Sequence, residues 1–369
     1  MMNGLHGIIF AYERRGELRE LGEIRSSASI PFGGRYRAVD FPLSNLVDAG
    51  ASNVGIVLHG QYQSLLDHLG TGKDWDLSRK RGGLRMLPPF NSQQSWGIMP
   101  FRGKMEALAG VRSYLETIRQ DYVALMDGDL VANLPLRDIL DSHIRSSADV
   151  TVVCGNDSFA TSDGTYFELR DGRVTDIYYN LHQPRGYRGL EVYILSTELL
   201  LDMVDECAAK DIYSWRSILQ SRKSSLSLCA YTWSGFAAQM RSVKEYYDRS
   251  MQLLDPAIRA ELFTPSRPIR AKGTDRTSTY VGPDGVCVNS LISDGCSIEG
   301  TVENSIVFPG VAVEPGAVVR NSVLFQDVTV RRGANLSYVI ADKDVEILAD
   351  RTLMGHATYP LVLAKSSVV

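Results

Sequence analysis

The sequence predicts an α/β domain with a mainly parallel, Rossmann-like sheet, followed by a parallel β-helix. Strand-like and helix-like segments alternate from residue 5 to about residue 262, an order that lays helices on both faces of a sheet. The first strand runs into a long loop and then a helix, the arrangement at which open α/β sheets bind ligands. From Val286 onward apolar residues recur every six positions. That period belongs to stacked β-helix turns, whereas a β-sandwich would alternate with period two.

The elements follow in order. Gly7-Ile8-Ile9-Phe10-Ala11 is an apolar run of buried-strand length. A polar loop leads to Pro31-Phe32-Gly33-Gly34-Arg35-Tyr36-Arg37, and a helix opens at Asp40-Phe41-Pro42-Leu43-Ser44-Asn45. Residues 53–58 read as a second strand, and Lys104 to Ile118 as one helix with apolar spacing through Leu108, Val111, Leu115 and Ile118. Residues 122–126 form a third buried strand that ends in Asp127-Gly128-Asp129. A helix over 136–146 and a strand over 150–154 come next. The segment from Tyr166 to Ser196 is strand-rich around a turn at Asp171-Gly172. Helices over 197–209 and 214–222 precede a strand at 226–233. Helices from Ser242 to Leu254 and from Pro256 to Phe263 close the first domain, 1–263. Residues 264–285 read as a linker, opening on Thr264-Pro265-Ser266-Arg267-Pro268, and 286–369 as the β-helix domain.

Within that domain Ile292 and Ile298 share a register, with Cys296 and Val302 four residues after each. Val307, Val313 and Val319 form another, followed by Val311, Ala317 and Val323. Leu324, Val330 and Leu336 form a third, with Val328, Ala334 and Ile340. A flat turn cannot cover its own apolar face, so the turns must stack. The slips between registers predict bulges or loops.

A net charge of −4 over 369 residues offers no attraction for nucleic acid or an anionic membrane surface. No apolar run has the length of a membrane span, and Met1-Met2-Asn3-Gly4 lacks the basic and apolar regions of a signal peptide. The five cysteines, Cys154, Cys207, Cys229, Cys287 and Cys296, are scattered without a C-x-x-C pair, which argues against a disulfide framework or a zinc site. A cytoplasmic protein with no nucleic-acid or membrane partner is expected.

The run from Pro31 to Asn45, PFGGRYRAVDFPLSN, resembles bacterial ADP-glucose pyrophosphorylase (glucose-1-phosphate adenylyltransferase). So do Gly72-Lys73-Asp74-Trp75-Asp76-Leu77, Phe101-Arg102-Gly103, Asp127-Gly128-Asp129 and Asn289-Ser290-Leu291-Ile292-Ser293, and the likeness spans essentially the whole chain. The resemblance implies a nucleotidyltransferase domain joined to a left-handed β-helix. It also implies a reaction in which glucose 1-phosphate attacks the α-phosphorus of ATP, giving ADP-glucose and pyrophosphate. Such a reaction needs cations and backbone donors around the phosphates, and a divalent metal, which the family holds between two aspartates.

Against the family's pattern this chain departs at each station. The family's first loop reads A-G-G-x-G-T-R-L, then R-A-K-P-A. Here the glycine pair becomes Tyr12-Glu13, the next glycine Arg15 and the arginine Glu17. In the second piece Arg25 is kept, while Ser27 replaces the lysine and Ala28 the proline. A carboxylate at Glu17 about 4 Å from a phosphate charge would repel it by roughly 4 kcal/mol at an effective dielectric of about 20. The first metal aspartate matches Asp129, but Gln239 takes the place of the second, and a neutral amide holds a hard cation less well than a carboxylate. The sugar-phosphate lysine becomes Asn180, and the glycine of the family's G-I-Y-V-F strand becomes Glu191.

A kept scaffold with degraded chemistry resembles the family's non-catalytic, regulatory GlgD-type subunit. The resemblance then implies no intact catalytic set and Asp129 as a relic metal ligand. It implies no cofactor requirement in this chain, with Mg serving a catalytic partner subunit in a heterotetramer. Arg25, Arg35 and Arg37 are candidate holders of an anionic effector. The alternative is an active sugar-phosphate nucleotidyltransferase in which Arg14 or Arg15 supplies the missing cation.

Overall fold

A computed structural model describes residues 4–11, 18–88, 102–155, 164–179, 185–273 and 275–369. Its larger strands are β1 (Leu5–Ala11), β2 (Asn53–Leu58), β3 (Gly83–Leu87), β4 (Tyr122–Asp127), β5 (Leu130–Ala132) and β6 (Val150–Gly155). They continue with β7 (Thr165–Arg170), β8 (Arg173–Tyr179), β9 (Tyr187–Ser196), β10 (Leu228–Trp233) and β11 (Ala237–Gln239). Among the described residues, nine of them form one sheet in the order β3-β2-β1-β4-β9-β6-β10-β8-β7.

β1 lies between β2 and β4, parallel to both. All seven of its residues are buried, because its alternate side chains enter two different cores. Ile9 and Ala11 pack with Leu43 and Leu46 on one face; Ile8 and Phe10 pack with Leu108 and Leu115 on the other. A strand covered on both faces reads as an unbroken apolar run, as this one does. The parallel pattern holds through β3-β2-β1-β4 and then turns mixed, because β9 runs antiparallel to both β4 and β6. The β7–β8 hairpin turns at Asp171 (φ +50°) and Gly172 (φ +76°), the left-handed pair a two-residue hairpin uses.

The helix expected over 104–118 is two helices, Lys104–Gly110 and Arg112–Leu115. The break falls at Val111 (φ −114°, ψ 22°), next to Gly110, the residue that loses most backbone entropy in a helix. Leu108, Val111 and Leu115 remain buried on one side, so the apolar spacing survives the break. Ser242 caps the helix Val243–Gln252 by accepting the Glu245 N–H at 3.0 Å.

The β-helix comprises three five-stranded parallel sheets. Ala312 pairs with Thr329 and Thr329 with Glu346, so these coils are 17 residues long rather than three full hexapeptides. The missing residue accounts for the register slips. Each falls at a corner where one residue turns in the left-handed region: Asn304 (φ +44°), Asn321 (φ +46°) and Tyr338 (φ +55°). The expected bulges or loops are therefore tight corners, for which asparagine is well suited. A serine ladder satisfies the backbone beside them. Ser305 N–H donates to Ser290 Oγ, Ser322 N–H to Ser305 Oγ and Val339 N–H to Ser322 Oγ, each at 3.1 Å. Ser305 and Ser322 are fully buried, where an unpaired amide would be costly. The expected linker ends before residue 285, since Tyr280–Val281 already pair with Ser297–Ile298; a two-residue strand is too short to show a period.

The two parts share one core. Phe32, Phe41 and Tyr246 cluster with Ile306, Phe308, Phe325 and Ile340. Gly34 has φ +79°, a Cβ there would lie 2.9 Å from Ser293 Oγ, and its carbonyl accepts that hydroxyl at 2.7 Å. The Pro31-Phe32-Gly33-Gly34 motif is thus the seat of the β-helix. Beside it Arg25 Nη2 lies 2.8 Å from both carboxylate oxygens of Asp342, and both residues are buried.

Removing one partner of a buried pair leaves the other charge uncompensated. Asp342→Ala should lower stability to urea by about 3–5 kcal/mol. Arg25→Met with Asp342→Leu should recover most of that loss, and failure to recover it would show that the pair does more than balance charge.

Candidate functional site

The site forms where β1 and β4 end. Gly128 N–H donates to Phe10 O at 2.9 Å. A Cβ on Gly128 would lie 2.9 Å from Ala28 Cβ and 3.1 Å from Phe10 O, so glycine lets the Ser27–Ser29 turn close onto the strand ends. Ser27, which the resemblance sets against the family's lysine, is buried there.

Three buried charged side chains meet at this edge. Lys104 opens its helix directly after Gly103. Its Nζ lies 2.9 Å from Asp127 Oδ1 and 2.5 Å from Glu191 Oε2. Glu191 also accepts Thr165 Oγ1 at 3.1 Å and Tyr193 OH at 3.3 Å. The Glu191 backbone is left-handed (φ +58°) and sits at an irregularity in the β9–β6 pairing, between Gly189 and Val192. That conformation costs a non-glycine residue about 1–2 kcal/mol, which the bonds to its carboxylate offset. Burial, with Glu191 and Asp127 close by, drives the Tyr193 hydroxyl well above the usual phenol range, so it serves as a neutral donor.

A second group lies beside the β5–β11 ribbon. Gln239 pairs opposite Leu130, and Met240 N–H donates to Asp129 O at 3.3 Å. The structure therefore brings Asp129, in the turn that leads into β5, next to Gln239 of β11, far from it in sequence. Arg188 Nη2 donates to Gln239 Oε1 at 3.2 Å and lies 3.7 Å from Glu245 Oε1. Arg241, Glu245 and Arg249 follow at intervals of four residues, and all three are buried. Burial pushes the Glu245 carboxyl up; Arg188, Arg241 and Arg249 pull it down, and Asp129 adds to the push.

A third group spans the two parts of the chain. Arg37 Nη1 donates to Ser64 O at 2.6 Å and to Ser64 Oγ at 3.0 Å. Burial lowers the Arg37 guanidinium to about 10, against the pull of Asp40 and with Arg25 repelling it. Lys343 is lowered to about 7, first by burial and then by Arg37 and Arg25. Of the three arginines expected to hold an anion, Arg25 and Arg37 share this field, while Arg35 is exposed and apart from it. Arg25 is also committed to Asp342. Tyr12, Glu13, Glu17 and Asn180 lie outside the described residues.

A protein-family model for nucleotidyl transferases matches residues 16–177, and one for the GlmU-like C-terminal hexapeptide matches residues 276–358. The chain is 36% identical over 366 residues to the glycogen biosynthesis protein GlgD of Bacillus subtilis (strain 168), covering 99% of this chain and 97% of that protein. It belongs to the GlgD family. GlgD of Geobacillus stearothermophilus is 37% identical over 324 residues, 86% of this chain and 84% of its own length. The glucose-1-phosphate adenylyltransferase of the same organism is 30% identical over 325 residues, 85% and 82% of the two chains.

In this GlgD-family chain several charged residues of the site carry no motif: Lys104, Arg188, Arg241, Glu245 and Arg249. Of these, Glu245 and Arg249 had one legible signal, a spacing of four that places them on a single helix face. The same spacing marks most solvated helix faces, so only tertiary burial distinguishes it here. Lys343 was equally illegible, because its neighbours come from a domain more than 300 residues away in sequence.

Lys104→Met would leave Asp127 and Glu191 buried without their cation, and a loss of about 3–5 kcal/mol is expected. Urea denaturation checks this, with Lys104→Arg as the variant that keeps the charge. Equal loss in both variants would mean that packing, not charge, sets the effect.

Proposed function

We propose that this chain is a regulatory subunit with little or no catalysis of its own. It acts in the cytoplasm in glycogen biosynthesis and modulates a catalytic glucose-1-phosphate adenylyltransferase partner. The observation that supports this most is the Lys104–Asp127–Glu191 cluster at the strand ends. One ammonium faces two carboxylates there, so the group repels phosphate instead of attracting it. Adenylyl transfer places growing negative charge on phosphate oxygens and needs free cations near them. Lys104 is already neutralised. Glu191 also fills, with a side chain, the position at which the resemblance expects glycine.

This chain then needs no metal of its own; the catalytic partner supplies Mg and the phosphate-binding loop. Purified alone, the chain should give no more than trace ADP-glucose from ATP, glucose 1-phosphate and Mg. Added to its catalytic partner, it should alter that enzyme's rate or effector response. Full turnover by the unaccompanied chain would reject the reading.

An anionic effector fits the field of Arg25, Arg37 and Lys343 at the junction of the two parts. Between pH about 7 and 10.5 the unfolded chain keeps a proton on Lys343 that the folded chain has lost, so this group's contribution to stability rises with pH across that window. A bound anion favours the charged ammonium and works in the opposite sense. Sulfate, whose charge is constant in this range, should therefore bind more weakly by calorimetry as pH rises through about 7. Lys343→Met should bind more weakly and lose that step; an unchanged step would place the anion elsewhere.

A further inference from the structure

We infer that the guanidinium of Arg188 stands in for the divalent ion, so that this chain carries a built-in cation where its enzymatic relatives are expected to need a metal. Arg188 occupies this place whether or not the chain turns over substrate, although its presence deepens the non-catalytic reading.

The donor set explains why a metal does not fit. A hard divalent cation needs several oxygen ligands, carboxylates foremost. Residue 239 can offer one oxygen, Gln239 Oε1, and Arg188 Nη2 already donates to it at 3.2 Å. The amide cannot turn over to free that oxygen. Its Nε2 lies 3.4 Å from Leu190 O, and a flip would set donor against donor at Arg188 and acceptor against acceptor at Leu190. Glu245 is a further carboxylate of the group, but its Oε1 is 3.7 Å from Arg188 and its charge is shared with Arg241 and Arg249. Three guanidiniums act with two carboxylates, Asp129 and Glu245, in one buried group. That group already carries more positive than negative charges, and a further cation would be repelled. Among the described residues no cluster of three or more His, Cys, Asp or Glu side chains could hold an ion.

An arginine differs from an exchangeable ion in one respect. It is never deprotonated near neutrality and never dissociates. The order of this cleft is thereby independent of metal supply and of chelators.

The test uses the full chain and Mn²⁺, followed by the electron paramagnetic resonance signal of the free ion. The unmodified protein should leave that signal as in buffer, and its melting temperature should be the same in Mg²⁺ and in EDTA. Arg188→Ala with Gln239→Asp should create a saturable site, at least about tenfold tighter than any residual binding, the scale on which neighbours of a metal tune its affinity. Adding Asp129→Asn should abolish it. Saturable Mn²⁺ binding by the unmodified chain that disappears in Asp129→Asn would overturn the inference, and this arm needs no double variant to fold. A folded double variant that binds no better than the unmodified chain would equally overturn the role of Arg188. Turnover by the isolated chain bears on the non-catalytic reading alone, because none of these readouts measures catalysis.

Discussion

Buried charge has to be matched, and in this fold it has to be matched at the ends of the central strands. An open α/β sheet leaves its carboxyl edge as a natural cradle for anions and the cations that accompany them. Here the chain fills that edge from its own side chains. Lys104 is clamped by Asp127 and Glu191, and Arg188 is held by Gln239 and Glu245. Uncompensated ions in such a place would cost several kcal/mol each, so the two groups stand or fall as sets. The left-handed backbone at Glu191 shows the same constraint acting on conformation: an unfavourable φ persists because the carboxylate has three partners.

The loop that leaves β1 connects this edge to the rest of the molecule. Its Ser27–Ser29 turn closes over Gly128, while Arg25, two residues earlier, reaches Asp342 in the β-helix. A few residues later Phe32 enters the shared core and Gly34 receives Ser293. One short segment therefore touches the cleft, the interdomain core and the cationic field around Lys343. Arg25 thereby ties the cleft side of the segment to the β-helix through its pair with Asp342.

The β-helix supplies the rigid side of that junction. Its 17-residue coils are set by single left-handed corners, and the serine ladder at those corners keeps the buried backbone satisfied. Phe308, Phe325 and Ile340 project from successive coils into the core shared with Phe32 and Tyr246. Stacking thus produces a continuous apolar surface on which the α/β part is seated, and the two parts form a single packed body at this face.

Local pattern was enough for much of the protein. Period six from Val286 announced the β-helix, and the apolar run at Ile8 to Ala11 announced a strand covered on both faces, because periodicity is a property of neighbouring residues. The family was legible in the run from Pro31 to Asn45. The corners of the coil were legible only as slips, since one residue fewer per turn looks the same as a bulge until φ is known. What tertiary structure alone decided is which charges meet. Lys104, Asp127 and Glu191 come from three separate elements, Arg188 and Gln239 from two strands, and Arg25 and Lys343 from two domains. No spacing rule links such residues, because their pairing is set by the path of the whole chain and by the cost of leaving any of them buried alone.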